Sequence, residues 1–132
     1  MIGPKLFFAL VVASITLPVV ARAEPAAITA PSFADLESSF AVSGALTQAT
    51  AALSLSLAPA TPLATAQTRL TQAGARCWPD HHKPDLVKCL YHQYDLSDGA
   101  ADDIRWMVAL HSYGELLHDF TVTREVDRHG GA

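Results

Sequence analysis

Apolar positions along this chain change period twice, and the changes mark out its elements. Phe33, Leu36 and Phe40 recur at i, i+3 and i+7, which gathers them on one side of a helix. Ser32 ahead of them offers an N-cap oxygen, and Asp35 places negative charge at the helix N-terminus. A second stripe, Val42, Leu46, Ala49, Leu53 and Leu57, keeps helical spacing but lies on a different side. Residues 32–60 are therefore read as helical, either one helix burying two faces or two helices broken near Gly44. The Ser54–Leu57 tract alternates and reads equally well as a short strand. Pro59 closes the segment. Thr61 and Pro62 then supply a capping hydroxyl and a proline at the first helical position. Leu63, Ala66, Leu70 and Ala73 form one stripe, and Gly74 is placed to end it.

From Cys77 to Val126 the period falls to two. Residues 75–78 make a short strand that Pro79 closes, since proline cannot continue the ladder. After the loop 79–85, a strand over 86–94 turns Val87, Cys89 and Tyr91 one way and Lys88, Leu90, His92 and Tyr94 the other. The polar tract 96–102 reads as a turn. The strand 103–111 then alternates Ile104, Trp106, Val108 and Leu110, facing a core, with Arg105, Met107, Ala109 and His111 facing away. Pairing Tyr91 with Trp106 sets Leu86 beside His111.

For the last hairpin, a two-residue loop at Tyr113 and Gly114 would set Trp106 opposite Thr121 and waste the core face. A three-residue loop, Ser112–Gly114, instead sets Trp106 opposite Phe120, Ile104 opposite Val122 and Leu110 opposite Leu116. That second register is expected, and its parity turns His118 toward the core. The fold class predicted is α+β, with one or two N-terminal helices packed on one face of a three- to four-stranded antiparallel β-meander.

The ends of the chain add the compartment. Lys5, the apolar run through Leu17, Pro18 and the tripeptide Ala21-Arg22-Ala23 make residues 1–23 a secretory signal peptide with cleavage before Glu24. Residues 24–31 read as a flexible leader, residues 61–126 as the αβ domain, and residues 127–132 as a flexible tail. The apolar run is short for a membrane span, and no anchor is expected after cleavage. The destination is periplasmic or secreted.

Lys5 and Arg22 leave with the signal peptide, so the mature 109 residues carry seven basic and 13 acidic side chains, a net charge of −6. That balance excludes a general nucleic-acid binder, whose phosphate contacts need a basic footprint. The two cysteines, in an oxidising compartment, predict a Cys77–Cys89 disulfide.

Candidate chemistry is sparse. His81 and His82 in the loop, with His111 brought to the same end of the sheet, could hold zinc or copper, although adjacent histidines on an extended chain diverge. The acidic turn with Asp95, Asp98, Asp102 and Asp103 misses the spacing of a calcium loop. No nucleophile is paired with a base, the cysteines are not in C-x-x-C spacing, and no glycine-rich phosphate cradle exists. No cofactor and no enzymatic activity are expected. The sheet face carrying Lys88, Leu90, His92, Tyr94, Arg105, Met107 and His111 mixes aromatic, methionine and arginine residues, the composition of a protein-binding patch.

The order of elements, with Leu70, Gly74, Cys77, the run Cys89-Leu90-Tyr91, Trp106, Gly114 and Val122, resembles the small exported αβ domains of the BamE/SmpA and β-lactamase-inhibitor-protein type over residues 61–126. The lipid-attachment cysteine of the BamE/SmpA lipoproteins is missing. The resemblance implies a protein that binds other proteins, and no site residue is carried over from it. The expected function is an exported, non-enzymatic protein-interaction domain, an envelope accessory or inhibitor, whose partner is another exported or envelope protein. The alternative is a small-ligand or metal-binding protein using the His81, His82 and His111 end. A homodimer pairing through an edge strand is a third arrangement.

Overall fold

Ser32 accepts a hydrogen bond from the Asp35 backbone N–H at 3.1 Å, and this cap opens the first helix, α1, Phe33–Ser43. The computed structural model describes Gly3, residues 30–97 and residues 99–129. The signal peptide apart from Gly3, the leader from 24 to 29 and the last three residues of the chain lie outside the described residues, as does Asp98.

Gly44, at φ 64°, ends α1 in the left-handed conformation, and its N–H donates to the Phe40 carbonyl at 2.7 Å. The break settles the choice left open for residues 32–60: a second helix, α2, spans Leu46–Ser54. It also removes Val42 from the second stripe. The turn at Gly44 re-aims the chain, so Leu46, Ala49, Leu53 and Leu57 are buried or half-buried while Val42 stays 91% exposed. The Ser54–Leu57 tract is the frayed end of α2 rather than a strand, with Leu57 donating back to the Leu53 carbonyl.

The third helix, α3, spans Leu63–Gln72 and buries Ala66 and Leu70. Thr61 does not cap it. Its backbone is engaged elsewhere, accepting from the Leu117 N–H at 2.8 Å, in a short strap that also joins Leu63 to Glu115 and Ala60 to Leu117. At the other end, Gly74 at φ 112° lets the Ala75 N–H reach the Leu70 carbonyl and the Gly74 N–H reach that of Thr71, a Schellman ending.

Four strands follow in spatial order β1-β2-β3-β4, all antiparallel: β1 Arg76–Pro79, β2 Leu86–Ser97, β3 Ala100–Tyr113 and β4 Leu116–His129. The described residues thus form an α+β fold, with three helices and a four-stranded sheet. Cys77 and Cys89 stand directly opposite each other and form the disulfide. Tyr91 pairs with Trp106, which sets Leu86 beside His111. The polar tract 96–102 is mostly strand, not turn. Ser97 pairs with Ala100, so both strands run through most of that tract.

The last hairpin departs from expectation. Trp106 lies opposite Arg124, Val108 opposite Val122 and Leu110 opposite Phe120. Two residues, Gly114 and Glu115, turn the chain, with Gly114 at φ 64° as a two-residue hairpin of the II′ kind requires. A bulge between His111 and Ser112 then lets His118 fall out of the pairing. Loop-length parity fails because this extra residue restores the face that a two-residue loop would have lost, and His118 is exposed. β4 also continues past Val126 to His129. Its last turn is held there by Arg128, which donates to Asp102 at 3.0 and 3.4 Å, so residues 127–129 belong to the sheet.

One core cluster joins Phe33, Leu36, Leu53, Leu57 and Leu70 from the helical part with Val87, Cys89, Ile104, Trp106, Val108, Leu110 and Leu117 from the strands. Ala30, at the end of the supposed leader, packs against it. Inside this apolar cluster lies one ion pair. Glu37, 6% exposed, accepts from the Trp106 indole N–H at 2.7 Å and from Arg124 at 2.8 and 2.7 Å through both carboxylate oxygens. Arg124 lies over the Phe40 ring at 4.1 Å, and Phe40 meets Trp106 edge-on at 5.8 Å. Burial pushes the Glu37 carboxyl up, but the hydrogen bonds from Arg124 and Trp106 and the Arg124 charge outweigh it and hold its pKa below the usual glutamate value.

Replacing both cysteines by serine should lower stability by about 3 kcal/mol, the loop-entropy value for a loop of this length, read as a lower urea midpoint. Glu37→Gln leaves Arg124 poorly compensated and should cost about 3 kcal/mol. Because the folded pKa of Glu37 is depressed, its contribution is complete above about pH 4.3 and is lost as pH falls through the folded value. The urea midpoint of the wild type should therefore fall more steeply on acidification than that of Glu37→Gln.

Candidate functional site

Pleating sends alternate residues of β3 to opposite sides, and their fates differ. Ile104, Trp106, Val108 and Leu110 are buried, whereas Arg105, Met107, Ala109 and His111 remain half-buried. Strand register assembles the second set into rows. Arg76, Leu90, Met107 and Thr123 form one, and Trp78, Lys88, Ala109 and Thr121 the next. Toward the far end His92, Arg105 and Glu125 are aligned, then Tyr94, Asp103 and Asp127.

Leu90 and Met107 form the apolar centre of this face and lie outside the core cluster. They border a hollow of about 170 Å³ completed by Arg105, Thr123 and Glu125. Leu90 also borders a second, open hollow of about 400 Å³ with Arg76, Cys77, Trp78 and His92. Tyr94 beyond it is 70% exposed.

Polar groups on the face are mostly paired. Lys88 meets Asp80 at 3.1 Å, His92 Nδ1 lies 3.2 Å from Asp103, and Arg105 bridges Asp103 at 3.8 Å and Asp127. Arg76 has no ion-pair partner among the described residues. The arrangement is an apolar centre with a charged rim, suited to contact with a polypeptide. Of the residues expected on it, Lys88, Leu90, His92, Tyr94, Arg105 and Met107 are brought together. His111 lies at the opposite end, between Leu86 and Asp119. Sequence reasoning missed Arg76 and Trp78. The signal was present, because a cross-strand Cys77–Cys89 pair turns the neighbours of Cys77 onto the side away from the core.

The three imidazoles of the metal alternative do not gather. Among the described residues, the group whose ligand atoms all lie within 4.8 Å of one another is Asp103, Asp127 and His129, not His81, His82 and His111. Asp80, beside the two loop histidines, is committed to the loop. It accepts from the His82 N–H at 2.8 Å, from Lys88 and from the Lys83 N–H at 3.0 Å, and these bonds hold its pKa down to about 2. Asp103 and Asp127 already share the Arg105 cation, which competes with any metal for their oxygens. Equilibrium dialysis with zinc should accordingly give a dissociation constant no tighter than millimolar. Micromolar binding abolished by His129→Ala would show that the acidic group opens to accept the ion.

No helix among the described residues is long and apolar enough to cross a membrane. No family model, no curated protein and no solved structure matches this chain.

Proposed function

We propose that this chain is an exported, non-enzymatic interaction domain that presents one sheet face, centred on Leu90, Met107 and Tyr94 and rimmed by Lys88, His92 and Arg105, to another exported or envelope protein. In this reading the three helices cover the opposite face, and the domain acts as an envelope accessory or as an inhibitor. The observation that carries it is a pair of half-buried apolar side chains at the centre of a regular sheet. Leu90 and Met107 lie outside the core cluster although they stand on the two central strands. A solvent-facing sheet position needs no such residues, and Arg, Tyr and Met are the types that dominate binding patches. The disulfide supports export, since such bonds persist in oxidising compartments.

The immobilised mature protein should capture a partner from the exported fraction of its cell. The double variant Tyr94→Ala, Arg105→Ala should weaken that capture at least about tenfold, the scale of losing central contact residues. Val42→Ala, on the exposed side of α1, should leave it unchanged. Capture that survives the double variant, with an unaltered melting curve, would exclude this face.

A further inference from the structure

The two outer strands of the sheet are protected unequally. β1 is only four residues long and pairs with Val87–Leu90, so Tyr91–Ser97 of β2 have a strand on one side alone. Among the described residues no backbone hydrogen bond from outside the sheet reaches Tyr91–Ser97. The chain does not block that edge on its way into β1. Gly74 lies against the Tyr91 ring, with an added Cβ placed 3.5 Å from it, and the Tyr91 ring stacks on Phe33 in the core, so the chain arrives from the core side. The long outer strand β4, by contrast, carries Arg124, Glu125, Asp127 and Arg128 along its length, and its start is covered by the strap at Ala60–Leu63. Charges and cover are the usual protection of an edge. The free part of β2 has Asp95 as its one fully charged side chain, and it exposes Tyr94 and Leu96 to 70% and 82%.

We infer that the free edge of β2 takes an added strand, the extended C-terminal segment of a partner protein ending in an apolar residue with a free carboxylate. This deepens the interaction reading above and rests on it. The geometry selects both the direction and the chain end. A strand antiparallel to β2 runs in the same sense as β1, so its C-terminal end arrives at Arg76. An internal segment would collide with β1 there, whereas a chain terminus can stop. With its last residue opposite His92, that residue's side chain falls on the same face as His92 and enters the hollow of Arg76, Trp78, Leu90 and His92. The carboxylate then stands beside Arg76, which has no ion-pair partner among the described residues. Residues two and four positions earlier lie over Tyr94 and Leu96 and cover them. Main-chain hydrogen bonds would hold the segment, and the hollow and the cation would select its end.

The probe is an N-acetylated hexapeptide of alternating threonine and valine ending in valine, as the free acid and as the C-terminal amide, with amide hydrogen exchange of the mature protein as readout. Without peptide, the amides of Tyr91–Ser97 that point away from β3 should exchange rapidly. Saturating free acid should slow them at least about tenfold, and the amide form should bind about tenfold more weakly. Arg76→Ala, an exposed substitution, should erase the difference between the two peptides. The inference is overturned if the peptide does not bind, if it binds without slowing those amides, or if acid and amide bind alike to the wild type. It is equally overturned if the amides are already slow without peptide. The edge is then filled by a second copy or by the chain's own leader, which sedimentation equilibrium tells apart. A partner whose capture depends on Tyr94 and Arg105 while the edge amides stay fast with the peptide would defeat the strand-addition mode and leave the broader reading intact.

Discussion

The bidentate contact between Glu37 and Arg124, with the Trp106 indole N–H on the same carboxylate, is the constraint around which the domain is arranged. It ties α1 to two strands at once, in the middle of an otherwise apolar cluster. A charged pair placed there is costly to desolvate, and its net contribution to stability is small compared with the cost of breaking it. Its effect is therefore greater on specificity than on total stability. Only one register of β4 puts Arg124 opposite Trp106, and only one placement of α1 brings Glu37 to both. The apolar residues around it, Phe33, Leu36, Val108 and Leu110, would tolerate a slip far better than this trio does.

The same arrangement explains why the two sides of the sheet are so different. Helical residues, the ion pair and the disulfide all converge on the side of Cys89, Trp106 and Val108. The other side keeps its polar groups in cross-strand pairs, Arg105 with Asp127 and His92 with Asp103, around a half-buried centre of Leu90 and Met107. Such pairs are exposed enough to contribute little to folding. They matter instead for the pattern of charge presented outward, and on this face they leave Arg76 without an ion-pair partner among the described residues.

The candidate face was legible to the extent that alternation alone could reveal it. Period two in β2 and β3 separates Lys88, Leu90, His92 and Tyr94, and likewise Arg105 and Met107, from their core-facing neighbours, and every register with the core faces matched keeps them together because an even shift preserves the sides. His111 was assigned to the right side and the wrong neighbourhood: its grouping with His81 and His82 required loop geometry that local patterning does not contain. Arg76 and Trp78 were overlooked because β1 is short, although their side follows from the disulfide. The unequal edges of the sheet could not be read at all from the residues of β2, since they depend on where β1 stops and how α3 delivers the chain to it.

By itself the sequence determined the elements and their sides. The Ser32 cap, the Gly74 ending and the inward set Val87, Cys89, Ile104, Trp106, Val108 and Leu110 follow from local spacing and backbone preference, whereas the break at Gly44 was one of two readings that the spacing allowed. Tertiary structure decided the register of the last hairpin. Reasoning from apolar residues alone puts Phe120 opposite Trp106, because a two-residue loop at Tyr113 and Gly114 would set Thr121 there instead. Arg124 can occupy that place because Glu37, 87 residues earlier in the chain, meets it there. The bulge at His118 supplies the extra residue that a two-residue turn needs to keep the faces in step. A buried charge is favourable only in the presence of its partner, and that partner is a property of the folded chain and not of any local stretch of it.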